Sequence, residues 1–294
     1  MHLLILGSPN NWYVRDLRRA AARHHVDVLG FEQLDAWVGD HPGGARETGR
    51  GAPARWDGVL VRSMPRGSLE QVIFRMDLLG QWARAGVVVV NTARAMEIAI
   101  DKYLALQRLA GQGLLVPRTY VGQSGRQALS AFDQLDGDVV VKPLFGSEGR
   151  GITRISDRAL AERAFKMLEQ LGAVIYMQEF IVHDHQDIRL FVLGRQVWGM
   201  RRENRADWRA NVSRGAVVER IEVTPSLGAL AEHATRCVGA EVAGVDVLID
   251  RHGCPVIIEV NAVPGWRALA RVAAVDVAGE IVQYVETRHA ARRP

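Results

Sequence analysis

The sequence is poor in lysine and cysteine, and it has no long hydrophobic run. Only three of its 37 basic residues are lysines, namely Lys102, Lys142 and Lys166. The two cysteines, Cys237 and Cys254, lack the spacing of a metal site and the context of a disulfide framework, which predicts buried structural thiols in a cytoplasmic protein. No apolar segment approaches the length of a membrane span, so we expect no membrane association.

The charge of the chain favours small anionic ligands over nucleic acid. Its 294 residues carry a formal net charge of +4, with an isoelectric point near 9.4. The basic residues are spread along the chain and form no run interleaved with aromatic residues, so nucleic-acid binding is not expected. Nucleotides or other small anions account equally well for the positive charge. With 48% hydrophobic residues, the chain can form two domains, or one domain with an additional subdomain.

Strands and helices alternate in residues 1–91, which predicts a small parallel α/β sheet. Helical spacing of apolar residues predicts a helix over residues 69–84. No GxGxxG motif is present in this unit, so a dinucleotide site is not supported. The polar, glycine-rich residues 39–55 predict a surface loop, either a lid over substrate or, with stronger support, a solvated insertion. Short apolar runs predict four strands, at residues 3–6, 26–29, 58–61 and 87–90.

Two of the lysines stand in informative places. One helix is predicted over residues 93–109, with Lys102 on its surface. Lys142 ends an apolar strand and is followed by Pro143, so its cation has a fixed direction at the edge of a sheet. A glycine-rich segment comes next, and its backbone N–H groups can approach an anion. The lysine precedes these glycines and a strand follows them, which favours a hairpin flap over phosphates, with a flexible turn as the alternative. The segment is Gly146, Ser147, Glu148, Gly149, Arg150 and Gly151.

A strand with Asp187 and Arg189 on one side precedes a dense cationic stretch, residues 199–215. This stretch is interpreted as a clamp for phosphate and carboxylate groups. Nucleic-acid contacts are the alternative, for which Trp198 and Trp208 are weak stacking platforms. The nearby His183-Asp184-His185 segment has no third metal ligand close by and is interpreted as an exposed turn.

Two short apolar strands, at residues 245–249 and 256–260, predict an antiparallel hairpin. Each strand carries one acid, Asp246 or Glu259, and Asn261 follows the second strand. Three oxygen donors at one end of a hairpin suit Mg²⁺. The alternative is structural, because the two acids can pair with arginines and the asparagine can cap a turn. These residues alone leave both interpretations open.

Taken in order, these motifs resemble the ATP-grasp ligases, most closely the RimK-like branch that adds glutamate or related amino acids to a carboxylate. The resemblance covers roughly residues 91–286. It implies an α/β and α+β fold, in which a small parallel α/β domain precedes an ATP-grasp domain. The implied divisions are an N-terminal pre-ATP-grasp domain at 1–91, a central subdomain with the phosphate loop at 92–180, and a C-terminal subdomain with the magnesium site at 181–294.

The resemblance also implies roles for individual residues. Phosphate contacts are implied for Lys102, Lys142, Gly146, Ser147, Glu148, Gly149 and Gly151. The adenine and ribose contacts are implied for Gln178, Glu179, Phe180 and Asp187. Catalytic positions in the clamp are implied for Arg189, Arg202, Arg209 and Asn211. The ligands of Mg²⁺, with Mn²⁺ as an alternative, are implied to be Asp246, Glu259 and Asn261.

The implied reaction is ATP-dependent amide formation through an acyl phosphate. The partners are then ATP, L-glutamate or a related amino acid, and an acceptor with a carboxylate, and assembly as a homodimer or homotetramer is expected. Residues 213–216 and the Val263-Pro264-Gly265-Trp266-Arg267 segment depart from members that modify ribosomal proteins, which favours a small cofactor such as a pterin or a deazaflavin. The alternatives are a ligase acting on a protein C-terminus or an amino-acid carrier protein, and a non-catalytic nucleotide- or RNA-binding module.

Overall fold

The computed structural model describes residues 1–38, 56–146, 151–212 and 215–292. The predicted loop at residues 39–55 lies outside the described residues. So do Ser147, Glu148 and Gly149 of the predicted phosphate loop. Within the described ranges, no helix has both the length and the apolar character that crossing a membrane requires.

The chain begins with a parallel sheet of four strands in the order β2-β1-β3-β4. All four predicted strands are confirmed to within one residue, because each apolar run lies between packed helices. Ser68 caps the helix over β3 and β4 through a capping box with Gln71, which fixes its predicted start. The elements are β1 (His2–Leu6), α1 (Trp12–Ala20), β2 (His25–Leu29), β3 (Gly58–Val61), α2 (Leu69–Arg84) and β4 (Val88–Val90).

The single helix predicted over residues 93–109 is wrong, because two helices occupy this region. α3 (Ala93–Ile100) ends at Asp101, and α4 (Lys102–Gly111) begins directly after it. Asp101 has extended backbone angles and accepts hydrogen bonds from the N–H groups of Tyr103 and Leu104. It is therefore an N-cap, a role in which aspartate is strongly preferred. Lys102 consequently stands at the first turn of a helix, where the chain changes direction.

A second sheet contains four antiparallel strands in the order β5-β8-β6-β7. The helices α5 and α6 cover one of its faces, with Phe132 and Phe165 in the core between them. The opposite face carries Lys142 and Gln178. The elements are β5 (Thr119–Gly122), α5 (Gly125–Gln134), β6 (Val139–Lys142), β7 (Thr153–Ile155), α6 (Arg158–Gln170) and β8 (Ile175–Glu179).

The third sheet has five antiparallel strands in the order β11-β10-β9-β12-β13. One face packs on α7 and α4 through residues such as Leu190 and Val245, so the alternate positions face away from that core. The predicted hairpin is confirmed as β12 and β13, with a bulge directly after Asp246. The elements are β9 (Gln186–Leu193), β10 (Gln196–Glu203), β11 (Val217–Ile221), α7 (Pro225–Val238), β12 (Val242–Ile249) and β13 (Pro255–Asn261).

The last helices, α8 (Arg267–Ala273) and α9 (Val277–Ala290), return to the first sheet. Residues of α9 share one core with Leu3 and Ile5 of β1. Asn91 is buried between the first and third sheets, where its side chain makes four hydrogen bonds to backbone groups of residues 241, 242 and 262. The predicted boundaries at residues 91 and 180 coincide with the change from one sheet to the next. They stay a prediction, because α4, α8 and α9 pack across them.

The prediction of two buried thiols is half wrong. Cys254 is exposed in the turn between β12 and β13, whereas Cys237 on α7 is partly buried. In this turn Gly253 has a φ of 79°, and Oδ1 of Asp250 accepts a hydrogen bond from the N–H of Cys254.

Candidate active site

Lys142 projects from the face of the second sheet that lies opposite α5 and α6. It stands opposite Tyr176 in the register of β6 and β8, and its Nζ donates a hydrogen bond to Oε1 of the buried Gln178. The pKa of Lys142 is lowered to about 8, chiefly by burial; the charge of Glu259 opposes the change, and the neighbouring charge of Lys102 contributes to it. Lys142 has no ion-pair partner among the described residues. We call the space between this face of the second sheet and the face of the third sheet that carries Asp246 the cleft, and the two faces are its walls.

Lys102 reaches the same region from the first turn of α4. Its Nζ donates to the carbonyl oxygens of Leu144, at 3.3 Å, and Gly146, at 2.8 Å. Burial lowers its pKa, while Glu259 and Asp101 oppose the change. The two predicted phosphate lysines therefore meet at the start of the glycine-rich segment, although 40 residues separate them in the sequence.

At the far end of the glycine-rich segment, Gly151 needs its lack of a side chain. Its φ is +73°, and a Cβ there would lie 2.9 Å from Cγ of Pro143. The two described ends of the segment, Gly146 and Gly151, thus both lie near Pro143. Pro143 therefore lies at the base of the predicted flap.

The hairpin brings Asp246 and Glu259 together as predicted. They are direct partners in the register of β12 and β13, and Asn261 follows on the same face. Glu259 makes no hydrogen bond or ion pair within the described part of the chain, yet its charge acts on both Lys102 and Lys142. Oδ1 of Asn261 accepts a hydrogen bond of 2.8 Å from the N–H of Val263, as in the turn-capping alternative.

Asp246 and the two predicted clamp arginines form a buried network across the third sheet. Nε of Arg189 lies 2.8 Å, and Nη2 of Arg202 3.1 Å, from Oδ1 of Asp246. Arg202 also donates two bonds of 2.6 Å to Asp187, its partner in the register of β9 and β10. Burial raises the pKa of Asp187 to about 6, and Arg202 opposes the rise, so the carboxylate is ionised at neutral pH. Asp187 and Arg202, for which the resemblance implied separate roles, are thus paired with each other.

Gly244 is a site residue that the sequence analysis missed. A Cβ at this position would lie 2.2 Å from Nη1 of Arg189 and 3.1 Å from Cβ of Pro264. Any side chain would therefore displace the guanidinium. Nη1 of Arg189 is buried and makes no hydrogen bond, which leaves one donor of the network unused. The available signal was a glycine inside an apolar strand, two residues before Asp246.

The predicted adenine hinge is ordered by side chains around it. The carboxylate of Glu179 accepts from Nε of Arg118 at 2.6 Å, so it serves the hinge structurally. The ring of Phe180 lies 3.5 Å from the guanidinium carbon of Arg154 and 5.8 Å from the ring of Trp208. The side chain of Phe180 thus fills the junction between the second sheet and the segment after β10, and its N–H donates to the carbonyl oxygen of Asp138.

Arg209 connects the cationic stretch to the flap. Its Nη1 donates to the carbonyl oxygen of Ile152 at 3.2 Å, and its remaining nitrogens pair with Asp207. Asn211 follows two residues later and is half-buried, and Ser213 and Arg214 lie outside the described residues. Arg209 therefore joins the two sides of the cleft, whereas Asn211 makes no hydrogen bond among the described residues.

A second missed residue, Arg62, lies where β3 meets the loop after β13. Its guanidinium carbon lies 4.8 Å from the centre of the Tyr13 ring and 4.7 Å from that of Trp266, and Nη1 donates to the carbonyl oxygen of Pro264. Nε is buried without a hydrogen bond, and burial lowers the pKa to about 10. The cation fastens the first sheet to the loop beside Gly244. The long sequence separation gave no signal of this contact.

These groups can bind a polyanion together with a divalent cation. The lysines offer two ammonium groups with no described counter-ion, and Asp246, Glu259 and Asn261 offer hard oxygen donors on one face. The unpaired carboxylate of Glu259 beside two cations fits a metal that a phosphate group would share. Asp246 would bind the metal through Oδ2 and keep its arginine contacts at Oδ1. Asn261 would use the second lone pair of Oδ1 and keep its hydrogen bond from Val263.

Known proteins resemble this chain over most of its length. The model of the RimK-like ATP-grasp domain matches residues 99–285. The tetrahydromethanopterin:alpha-L-glutamate ligase of Methanosarcina acetivorans is 36% identical over 206 residues, which cover 65% of this chain and 63% of that protein. The chain thus spans a little under two thirds of that relative.

Two further proteins align almost from end to end. The ribosomal protein bS6–L-glutamate ligase of Escherichia coli is 31% identical, with 99% of this chain and 97% of that protein covered. The structure of the ATP-grasp ligase PsnB, complexed with a minimal precursor, Mg and ADP, superimposes with a TM-score of 0.77 at 21% identity, and covers 98% of this chain and 97% of that one. This last likeness concerns the fold alone, and it agrees with the three sheets described above.

Proposed function

Because the chain belongs to the RimK-like ATP-grasp family, we propose that it joins L-glutamate to a small carboxylate-bearing cofactor, such as a pterin or a deazaflavin, in an ATP-dependent reaction. The observation that carries this proposal is the meeting of Lys102, Lys142 and Glu259 in one cleft. Partly buried ammonium groups without a described ion-pair partner favour a polyanion, and an adjacent carboxylate without a described partner favours a divalent cation. Mg-ATP supplies both.

In the proposed complex, the ATP phosphates lie between the two lysines and the glycine-rich segment, and adenine lies against the main chain at Phe180. Lys142 is held by Gln178, so its ammonium group already points into the cleft. Asp187 accepts both bonds from Arg202. Its role in the proposal is therefore to orient that guanidinium, and a contact with the ribose has to compete with these bonds.

The acceptor carboxylate attacks the γ-phosphate of ATP, which gives an acyl phosphate and ADP. The amine of glutamate then attacks the acyl carbon, and phosphate leaves. In this proposal Arg189 and Arg202 stabilise the negative charge of the transferring group, and the available donor is Nη1 of Arg189, which makes no hydrogen bond to described residues. When bound by Asp246, Glu259 and Asn261, Mg²⁺ would neutralise charge on the phosphate oxygens as a Lewis acid.

The choice of acceptor is supported by the relative from Methanosarcina acetivorans, whose name specifies tetrahydromethanopterin. It is supported also by the Pro264-Gly265-Trp266 segment, which differs from the ribosomal-protein-modifying pattern. A protein C-terminus or an amino-acid carrier protein is the second candidate acceptor. That candidate is favoured by the relative from Escherichia coli, which matches nearly the whole chain and is named for a ribosomal protein.

The first test measures ADP release from Mg-ATP and L-glutamate with a panel of acceptors. The panel contains a pterin with a glutamyl tail, a deazaflavin with a lactyl or glutamyl tail, and an acidic peptide with a free C-terminus. We expect ADP release that depends on both glutamate and one of the two cofactors. The product of that reaction should be heavier by one or more glutamyl units in mass spectrometry.

The controls separate chemistry from binding. Lys166→Met removes the one lysine outside the cleft and should leave turnover unchanged, whereas Glu259→Gln should abolish it. Turnover with the peptide alone would move the assignment to the second candidate. Saturable binding to a polynucleotide, with no ADP release in the presence of any acceptor, would contradict ligase activity and support a binding module.

A further inference from the structure

Three potential metal ligands meet at the edge of the first sheet, far from the cleft in the sequence. His2 on β1 and His25 on β2 are direct partners in the parallel register. Asp27 follows two residues after His25, so all three side chains lie on the same face of the sheet. Neither the proposed ligase reaction nor the comparisons account for this arrangement.

The distances suit one ion between the three side chains. Nε2 of His2 lies 3.0 Å from Oδ2 of Asp27, and Nε2 of His25 lies 3.9 Å from Oδ1. One ligand atom from each residue lies within 4.8 Å of the other two. Bonds of about 2.1 Å in a tetrahedral site place ligand atoms about 3.4 Å apart, so small side-chain rotations are sufficient.

The surroundings hold two ligands and leave the third accessible. The side chains of His2 and Asp27 are 28% and 22% exposed, while that of His25 is 73% exposed. Nε1 of Trp56 donates to Oδ2 of Asp27 at 2.9 Å. Such an outer hydrogen bond orients a ligating carboxylate, and the exposed side of the group admits both the ion and a water ligand.

The donor set differs in kind from that of the cleft. Two imidazoles and one carboxylate favour zinc and similar transition-metal ions, whereas the oxygen donors near Glu259 favour magnesium. Among the described residues, no other three His, Cys, Asp or Glu side chains come this close together.

We propose that His2, His25 and Asp27 bind one divalent transition-metal ion of the zinc class, with water in the remaining position. The ion takes the place of the direct contact between Nε2 of His2 and the carboxylate of Asp27. It cross-links β1 to β2, which is the edge strand of the first sheet. The site is independent of the ligase reaction.

The test titrates the full chain with Zn²⁺ alone, in competition with a chromophoric chelator and with excess Mg²⁺ present to occupy the cleft. We expect one Zn²⁺ per chain with micromolar or tighter affinity. His25→Ala should weaken binding at least about tenfold, since it removes a direct ligand. His252→Ala, at an exposed histidine outside the group, and Glu259→Gln should both leave binding unchanged.

A second readout follows the metal from its neighbour. Co²⁺ is paramagnetic, and bound at this site it should quench tryptophan emission through Trp56, which lies next to His2. Quenching that persists in His25→Ala would overturn the proposal. So would a parent protein that binds Zn²⁺ only at millimolar concentration, or equal affinities in the parent and His25→Ala. Because His25 is exposed, its replacement leaves the fold intact, and circular dichroism verifies this.

Discussion

The two walls of the cleft treat charge in opposite ways. On the third sheet, Asp187, Arg202, Asp246 and Arg189 neutralise one another through bonds between neighbouring strands. On the second sheet, the described hydrogen bonds of Lys142 go to the neutral Gln178, and those of Lys102 from α4 go to carbonyl oxygens. The charges of the first wall are neutralised within the protein. Among the described residues the lysines have no such ion pairs, so an anionic ligand would neutralise the lysine wall.

The difference follows from what each wall must do. A buried guanidinium stays charged, and it needs fixed partners if it is to keep one geometry. A buried ammonium group can lose its proton, and it therefore tolerates an empty site better. Glu259 is the exception on the third sheet, because it has no partner among the described residues there. It faces the lysines, so the ligand that completes one wall also engages the other.

The largest expected effect is the loss of stability in Arg202→Met, which tests whether the paired charges of the third sheet stabilise the protein. The substitution leaves Asp187 buried with its two best hydrogen bonds removed, so we expect a loss of about 3–5 kcal/mol in the free energy of unfolding. Urea denaturation of the parent and the variant measures the difference. The matched control is Asp133→Asn at the exposed pair with Arg158, which should not shift the midpoint. Equal midpoints for the parent and Arg202→Met would show that the paired wall contributes no stability.

The next effect concerns the unpaired acid. Glu259→Gln keeps the shape of the side chain and removes its charge, so we expect ADP formation to fall about a hundredfold or more. The expected fall rests on the proposed role of Glu259 as a metal ligand. The free energy of unfolding should stay close to that of the parent, because no described bond is lost. Glu162→Gln on the exposed surface of α6 is the control. Unchanged turnover in Glu259→Gln would place the metal elsewhere.

A smaller effect is expected on the lysine wall. Lys142→Met removes a charge-assisted bond to a phosphate group, which should weaken Mg-ADP binding about tenfold to a hundredfold in isothermal titration calorimetry. Without nucleotide, the free energy of unfolding should change little, because the variant removes a cation that has no described ion-pair partner but also leaves Oε1 of the buried Gln178 without its hydrogen bond. Lys166→Met serves as the control for the loss of one lysine. Loss of stability together with unchanged affinity would reverse the assignment of this wall.

The sequence predicted the lysine wall better than the arginine wall. The scarcity of lysine drew attention to Lys142. The strand before it and the glycines after it indicated that its side chain points toward an anion site at the edge of a sheet. The hairpin acids were predicted because a carboxylate inside an apolar strand is unusual. The pairing of Asp187 with Arg202 was not predicted, since it depends on the register of β9 and β10, which hydrophobic periodicity does not specify.

Long-range contacts and local caps account for the remaining differences. The periodic apolar residues from 93 to 109 concealed the break at Asp101, because an N-cap competes with helix continuation through a single side chain. Arg62 contacts Pro264 across 202 residues, and Gly244 is required by the guanidinium of Arg189 from a different strand. Such requirements exist only once the sheets are assembled, so a single sequence does not display them.

The smallest expected effect, and the sharpest test of the lysine wall, is the uptake of a proton when Mg-ADP binds. Lys142 has a pKa lowered from 10.5 to about 8 by burial, so between these values the unfolded chain binds more protons than the folded chain. Stability from this group therefore rises with pH across that window, and the burial penalty is fully present below about pH 8. A bound phosphate favours the ammonium form, so Mg-ADP binding takes up a proton and weakens as the pH rises above 8.

Calorimetry of Mg-ADP binding near pH 8, in two buffers with different ionisation enthalpies, measures this uptake. We expect about half a proton per nucleotide for the parent, because the group is half-protonated at its own pKa. Lys142→Arg keeps the positive charge and cannot titrate in this range, so the buffer dependence should shrink to the part due to Lys102. Equal apparent enthalpies in both buffers for the parent would mean that Lys142 is already fully charged without nucleotide, and the contrast between the two walls would then be one of hydrogen bonding alone.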